Sequence, residues 1–87
     1  TADRIDPFIA ANKIAFADDV ARAEGETLAA VSHLMGCSEH AELGPVLKSN
    51  FSEIFSSPDL APNEITDRVL TVVGRDDVLA RECGVQI

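Results

Sequence analysis

Eighty-seven residues, 46% of them apolar, supply one thin core and one domain, residues 1–87. Fifteen acidic against seven basic residues leave a net charge of −8, which repels phosphate backbones and anionic headgroups and argues against nucleic acid and polybasic membrane docking. With no Trp, no Tyr and four Phe, rings for base stacking are scarce.

The periodicity is helical along the whole chain. Asp6 before Pro7 predicts a helix start, with a side-chain acceptor at the N-cap and a preset φ at N1. Ile9, Phe16, Val20, Thr27, Val31 and Leu34 share one stripe, and Gly36 supplies the stop. Gly25 interrupts this run at about 1 kcal/mol relative to Ala, so the segment reads as one long helix or as two, kinked near Gly25. Ser38 is the next N-cap, with Glu39 and Glu42 favouring a helix N-terminus. Gly44-Pro45 closes a short turn and restarts a helix with Pro45 near N1. Leu47, Phe51, Ile54 and Phe55 share a face until Ser56-Ser57-Pro58-Asp59 breaks it. Pro62 opens a third clear helix in which Ile65, Val69, Val72 and Val73 form an apolar stripe, and Gly74 stops it. Asp76 or Asp77 begins a last short helix carrying Val78 and Leu79, closed by Gly84. The expected fold is therefore all-α, a small bundle of about four helical segments. Apolar runs such as Ile14–Ala17 and Val69–Val73 fall far short of the roughly twenty residues of a bilayer span, so no membrane insertion is expected.

The stretch from Asn12 to Leu28, and the later Asn50-Phe51-Ser52-Glu53-Ile54-Phe55-Ser56-Ser57, resemble a family of small exported bacterial proteins catalogued as domain of unknown function thirty-fifteen. Asn12, Asp19, Ala21, Arg22, Glu24, Gly25, Glu26 and Leu28 match its first motif. Ala23 stands where the family usually has Gly, and Ser56 where it usually has Pro. The likeness covers roughly residues 8–82. Members usually carry a further cysteine-bearing segment ahead of this region, so the sequence, opening at Thr1, reads as a divergent member or a fragment. The resemblance implies export to a periplasm and assigns no activity.

On a continuous helix Glu24 falls about 40° from Val20, inside the apolar stripe. A carboxylate there must be paired, hydrogen-bonded or protonated. It is then a ligand-binding or metal-binding group in a pocket, or a cap or ion-pair partner; if Gly25 breaks the helix, it is simply solvated. Glu26 lies with Asp19, Arg22 and His33 on the polar face, and Asp18, Arg22 and Glu26 repeat at helical spacing as a salt-bridged surface. With Asp19 and Glu26, that surface is also a candidate acidic strip for a basic partner. The candidate binding residues are thus Glu24, Glu26, Asp19 and Arg22.

His33, Met35 and Cys37 alternate, but residues two apart on a helix point roughly 200° apart and cannot converge on a metal. Cys37 and His40 invite a nucleophilic dyad, yet a chain this small offers little room for a cleft and no third orienting residue stands out. No catalytic residue, metal or cofactor is expected, and the chain does not read as an enzyme. Cys37 and Cys83 each abut a helix-ending Gly, which makes them a candidate disulfide worth about 4 kcal/mol; two buried thiols are the alternative. Ile14 sits about 120° off the stripe and Phe8 a similar angle on the other side, both candidate contact points for another subunit. The leading expectation is a periplasmic or otherwise exported helical protein that associates with a protein partner or with itself. The alternative is a periplasmic small-molecule or metal-binding protein using Glu24 and Glu26.

Overall fold

Six helices organise the residues that the computed structural model describes, 2–38 and 42–83. They are α1 (Ala2–Arg22), α2 (Glu26–Leu34), α3 (Leu43–Ser49), α4 (Phe51–Ile54), α5 (Pro62–Arg75) and α6 (Asp77–Glu82). No strand occurs among the described residues.

The first helix starts earlier than Asp6-Pro7 predicts, and both residues lie inside it. Pro7 falls in the second turn, where its missing N–H forfeits one hydrogen bond near a helix end. Asp6, displaced from the cap, keeps its Oδ1 buried without a partner. A bend follows at Asn12 (φ −131°, ψ 26°), whose side-chain amide donates to the Phe8 carbonyl at 2.9 Å. A regular helix fills that carbonyl with the backbone N–H of residue 12. Asn50 repeats the device between α3 and α4: its Nδ2 donates to the Val46 carbonyl at 2.8 Å while its backbone N–H turns to Leu47. The second apolar face is thereby split into two short helices; with the break between α1 and α2 near Gly25, six elements stand where about four are expected.

Other boundaries follow the sequence closely. Gly36 takes φ +75° and closes α2 with two backbone bonds, Gly36 N–H to His33 O and Cys37 N–H to Ser32 O. Pro62 is the first residue of α5, and Glu64 accepts the Ala61 N–H at 3.0 Å. Gly74 does not stop α5, because it keeps a negative φ; the turn comes at Asp76, whose carboxylate accepts the Leu79 N–H and caps α6. Pro45 is the third residue of α3, and Glu42 precedes that helix without a side-chain cap. Among the described residues Ser38 caps no helix; its backbone N–H bonds the Glu82 carbonyl at 2.9 Å. The expected roles of Glu39 and Gly84 lie outside the described residues.

The core gathers Ile5, Ile9, Phe16 and Val20 from α1 against Ile65, Val69, Val72 and Val73 of α5. Leu28 and Val31 of α2, Leu43 and Leu47 of α3, Ile54 of α4 and Leu79 of α6 close around them. Phe16 meets the Phe55 ring edge-on at 5.9 Å. α1 packs on α2, α3 and α5, so its remaining side is open to solvent.

Candidate functional site

The segment from Asp19 to Leu28 forms a locked turn. α1 ends with Ala23 in the left-handed region (φ 62°), its N–H bonded to Val20 O and that of Glu24 to Asp19 O. This is the closure Gly36 makes, built here with an alanine, which is disfavoured at such a φ by about 1 kcal/mol. Gly25 (φ 143°) then swings the chain into α2. Asp19, only 5% exposed, reaches across the turn. Its Oδ2 accepts the Thr27 N–H at 2.9 Å, the Thr27 hydroxyl at 2.6 Å and the Leu28 N–H at 3.4 Å, while Oδ1 accepts Arg22 at 2.6 Å. The last residues of α1 thus cap α2. The Thr27 hydroxyl first, then the Thr27 and Leu28 amides and Arg22, hold the Asp19 carboxyl below the usual aspartate range against the opposing effect of burial.

Two glycines serve this turn. A Cβ at residue 25 would overlap the Asp19 carboxylate, and a Cβ at residue 44 would overlap the Ala23 carbonyl. Gly25 admits the cap, and Gly44 lets the start of α3 seat against the turn.

This geometry reassigns the sequence candidates. Glu24 is exposed, as expected if the helix breaks near Gly25, because α1 ends at Arg22 and the helical phase is lost. Asp19, expected on the polar face, is buried and performs the capping considered for Glu24. The phase resets at α2, so Leu28 is buried where the continuous stripe names Thr27. Arg22 pairs with Asp18 at 3.3 Å as well as with Asp19, but Glu26 opens a new helix and does not extend that run. Glu24 lines a shallow hollow of about 210 Å³ with Leu28 and Leu43, whereas Glu26 lines another of about 280 Å³ with Phe8 and Asn12. The two carboxylates therefore do not share a site. No group of three His, Cys, Asp or Glu able to hold a metal occurs among the described residues.

Cys37 and Cys83 form a disulfide joining the end of α2 to the end of α6. Ser38 and Glu82 bond beside it through both backbone and side chains. His33 is exposed near the end of α2, Met35 beyond that helix is buried, and Cys37 is consumed by the disulfide. His40 lies outside the described residues.

Sequence reasoning did not identify a clamp on α4. Arg75 bonds the Glu53 carboxylate at 2.8 Å, and Arg68 bonds the Glu53 carbonyl and the Ser56 hydroxyl. Arg75 draws the Glu53 carboxyl below its ordinary value. α4 is too short to hold itself, and these arginines of α5 fix it in place.

The remaining feature is apolar. Ile14 is 87% exposed, the extreme among large hydrophobic side chains of the described residues, with Val78 next at 57%. Beside Ile14 runs an open groove of about 620 Å³ whose lining includes Ala17, Phe51, Phe55 and Pro58. Lys13 fixes the groove's far wall, its Nζ donating to the carbonyls of Pro58 (3.0 Å) and Leu60 (2.6 Å). Phe8, the other expected contact point, is instead half-buried against the core.

The molecule is thus a small all-α domain with a capped helical turn, a disulfide between two helix ends and an open apolar groove. It belongs to the family of proteins of unknown function DUF3015, whose model matches residues 2–83. Neither a curated protein nor a solved structure matches the chain.

Proposed function

We propose that this DUF3015 protein is an exported, non-catalytic association module that binds a protein partner through the face of α1 and α4 around Ile14. The observation that carries this reading is Ile14 itself, almost fully exposed at the rim of a groove lined by Phe51, Phe55 and Pro58. Burying such a side chain stabilises by roughly 1.5–3 kcal/mol, and a thin core that leaves it out forgoes that gain. A contiguous apolar face on a strongly acidic chain marks a contact surface. Export is supported by the Cys37–Cys83 disulfide, since such bonds persist in oxidising compartments. No helix among the described residues is long and apolar enough to cross a membrane. The rival ligand-binding reading of Glu24 and Glu26 gains no support from geometry, because each lines its own hollow.

A photo-activated crosslinking residue at exposed Ala15, beside Ile14, tests the reading in expressing cells. Adducts of defined mass are expected there and not from exposed Glu64 on α5. Absence of any adduct at Ala15 overturns it.

A further inference from the structure

Resting on that reading, we propose that the partner on this face is a second copy of the chain, each Ile14 entering the other copy's Phe51–Phe55 groove. A two-fold contact requires one surface to carry both halves of the fit, because residue i meets j while j meets i. Ile14 and the groove satisfy this: the projecting side chain and the hollow adjoin on one face. An axis lying in that face and passing between them places each Ile14 over its counterpart's groove. Ala10, Ala11 and Ala15 are exposed around Ile14 and carry no bulky side chain that would hold a second copy's surface away from it.

The charge on this face admits the same occupant. Two molecules of net charge −8 repel one another over most of their surface. Residues 8–17 carry one charge, Lys13, and residues 51–58 carry one, Glu53, which is paired with Arg75. Asp18 and Asp59 follow these segments in sequence, and Asp18 is paired with Arg22. Across the Ile14 face, two copies meet with little opposed charge. Long-range repulsion from the rest of each molecule remains, so added salt tightens the association rather than weakening it.

Sedimentation equilibrium on the oxidised chain, up to about 1 mM and at low and high salt, tests the proposal. The expected result is a monomer–dimer equilibrium that shifts toward dimer with salt, weakened at least about tenfold by Ile14→Asp. Because Ile14 is exposed, the variant keeps the wild-type circular dichroism and, at concentrations low enough for both to be monomeric, the wild-type melting curve. A wild-type chain that stays monomeric throughout, or an Ile14→Asp variant that dimerises equally well, overturns the proposal. The crosslink at Ala15 separates the two levels. A monomeric wild type with an adduct to a different protein sinks only the second copy, whereas a monomeric wild type with no adduct sinks the association reading too.

Discussion

Breaking the Cys37–Cys83 bond removes the one covalent closure among the described residues, and its effect follows from the chain it encloses. The two cysteines are 46 positions apart, and α3, α4, α5 and α6 lie between them. Closing a loop of that size in the unfolded chain removes entropy worth about 4 kcal/mol at 25 °C in the chain-entropy treatment. Small domains have total stabilities of roughly 5–15 kcal/mol, so the loss takes a large share of the whole. At about 5 °C per kcal/mol for this chain length, the melting temperature falls by roughly 20 °C. The loss is also local. α6 buries Leu79 and packs on α5, and the disulfide ties its end to α2. In the Cys37→Ser/Cys83→Ser variant, the amides of Leu79, Ala80 and position 83 exchange with solvent first. Thermal melts followed by circular dichroism, with and without reductant and for the double variant, measure the first effect; hydrogen exchange measures the second. A fall of less than about 5 °C, or α6 amides as protected as those of α5, refutes the reasoning.

Gly25→Ala places a side chain at φ 143° and on top of the Asp19 carboxylate, costing about 2 kcal/mol in backbone strain alone; an unchanged urea midpoint refutes this. Ala23→Gly relieves the left-handed alanine at φ 62° and stabilises by about 1 kcal/mol, seen as a higher urea midpoint at constant slope. Asp19 has a folded-state pKa below the ordinary 3.8, so its contribution is complete above that value and lost as pH falls through the lower folded one. Asp19→Asn therefore flattens the acid side of the stability–pH curve and leaves its shape near neutrality unchanged. Thr27→Val, which removes the largest cause of the shift, raises the Asp19 pKa toward its ordinary value in an NMR titration.

Local chemistry made parts of this fold legible. Pro62 at the head of α5, Asp76 at the cap of α6 and Gly36 at φ +75° each act through their own backbone or first neighbours. The pairing of Cys37 with Cys83 follows from two helix ends brought together, and the exposure of Ile14 from its angle off the stripe. The break between α1 and α2 was legible as a kink near Gly25, but its left-handed residue was not, because alanine is the strongest helix former and nothing intrinsic to Ala23 announces that conformation. Wheel angles carried past residue 23 on a continuous helix put Glu24 inside, whereas the break considered near Gly25 leaves it solvated, as observed. Asp19, within α1, is buried because its carboxylate turns to cap α2 and not through any change of phase. The family's usual Gly at position 23 was the available signal, and in structural terms it marks the φ that Ala23 adopts under strain. The bends at Asn12 and Asn50 escaped for a related reason. An Asn side chain that replaces a backbone donor leaves the apolar period intact on either side. The groove is a tertiary product of α1 and α4, distant in sequence and joined through α5, whose Arg68 and Arg75 hold α4 in position.

The account stands most directly on what touches the Ile14 face in the cell. Photocrosslinking from Ala15 in the wild-type and Ile14→Asp backgrounds, read by mass, is the measurement. Discrete adducts in the wild type that disappear in the variant are the predicted result. Equal adducts in both, or none in either, contradict it.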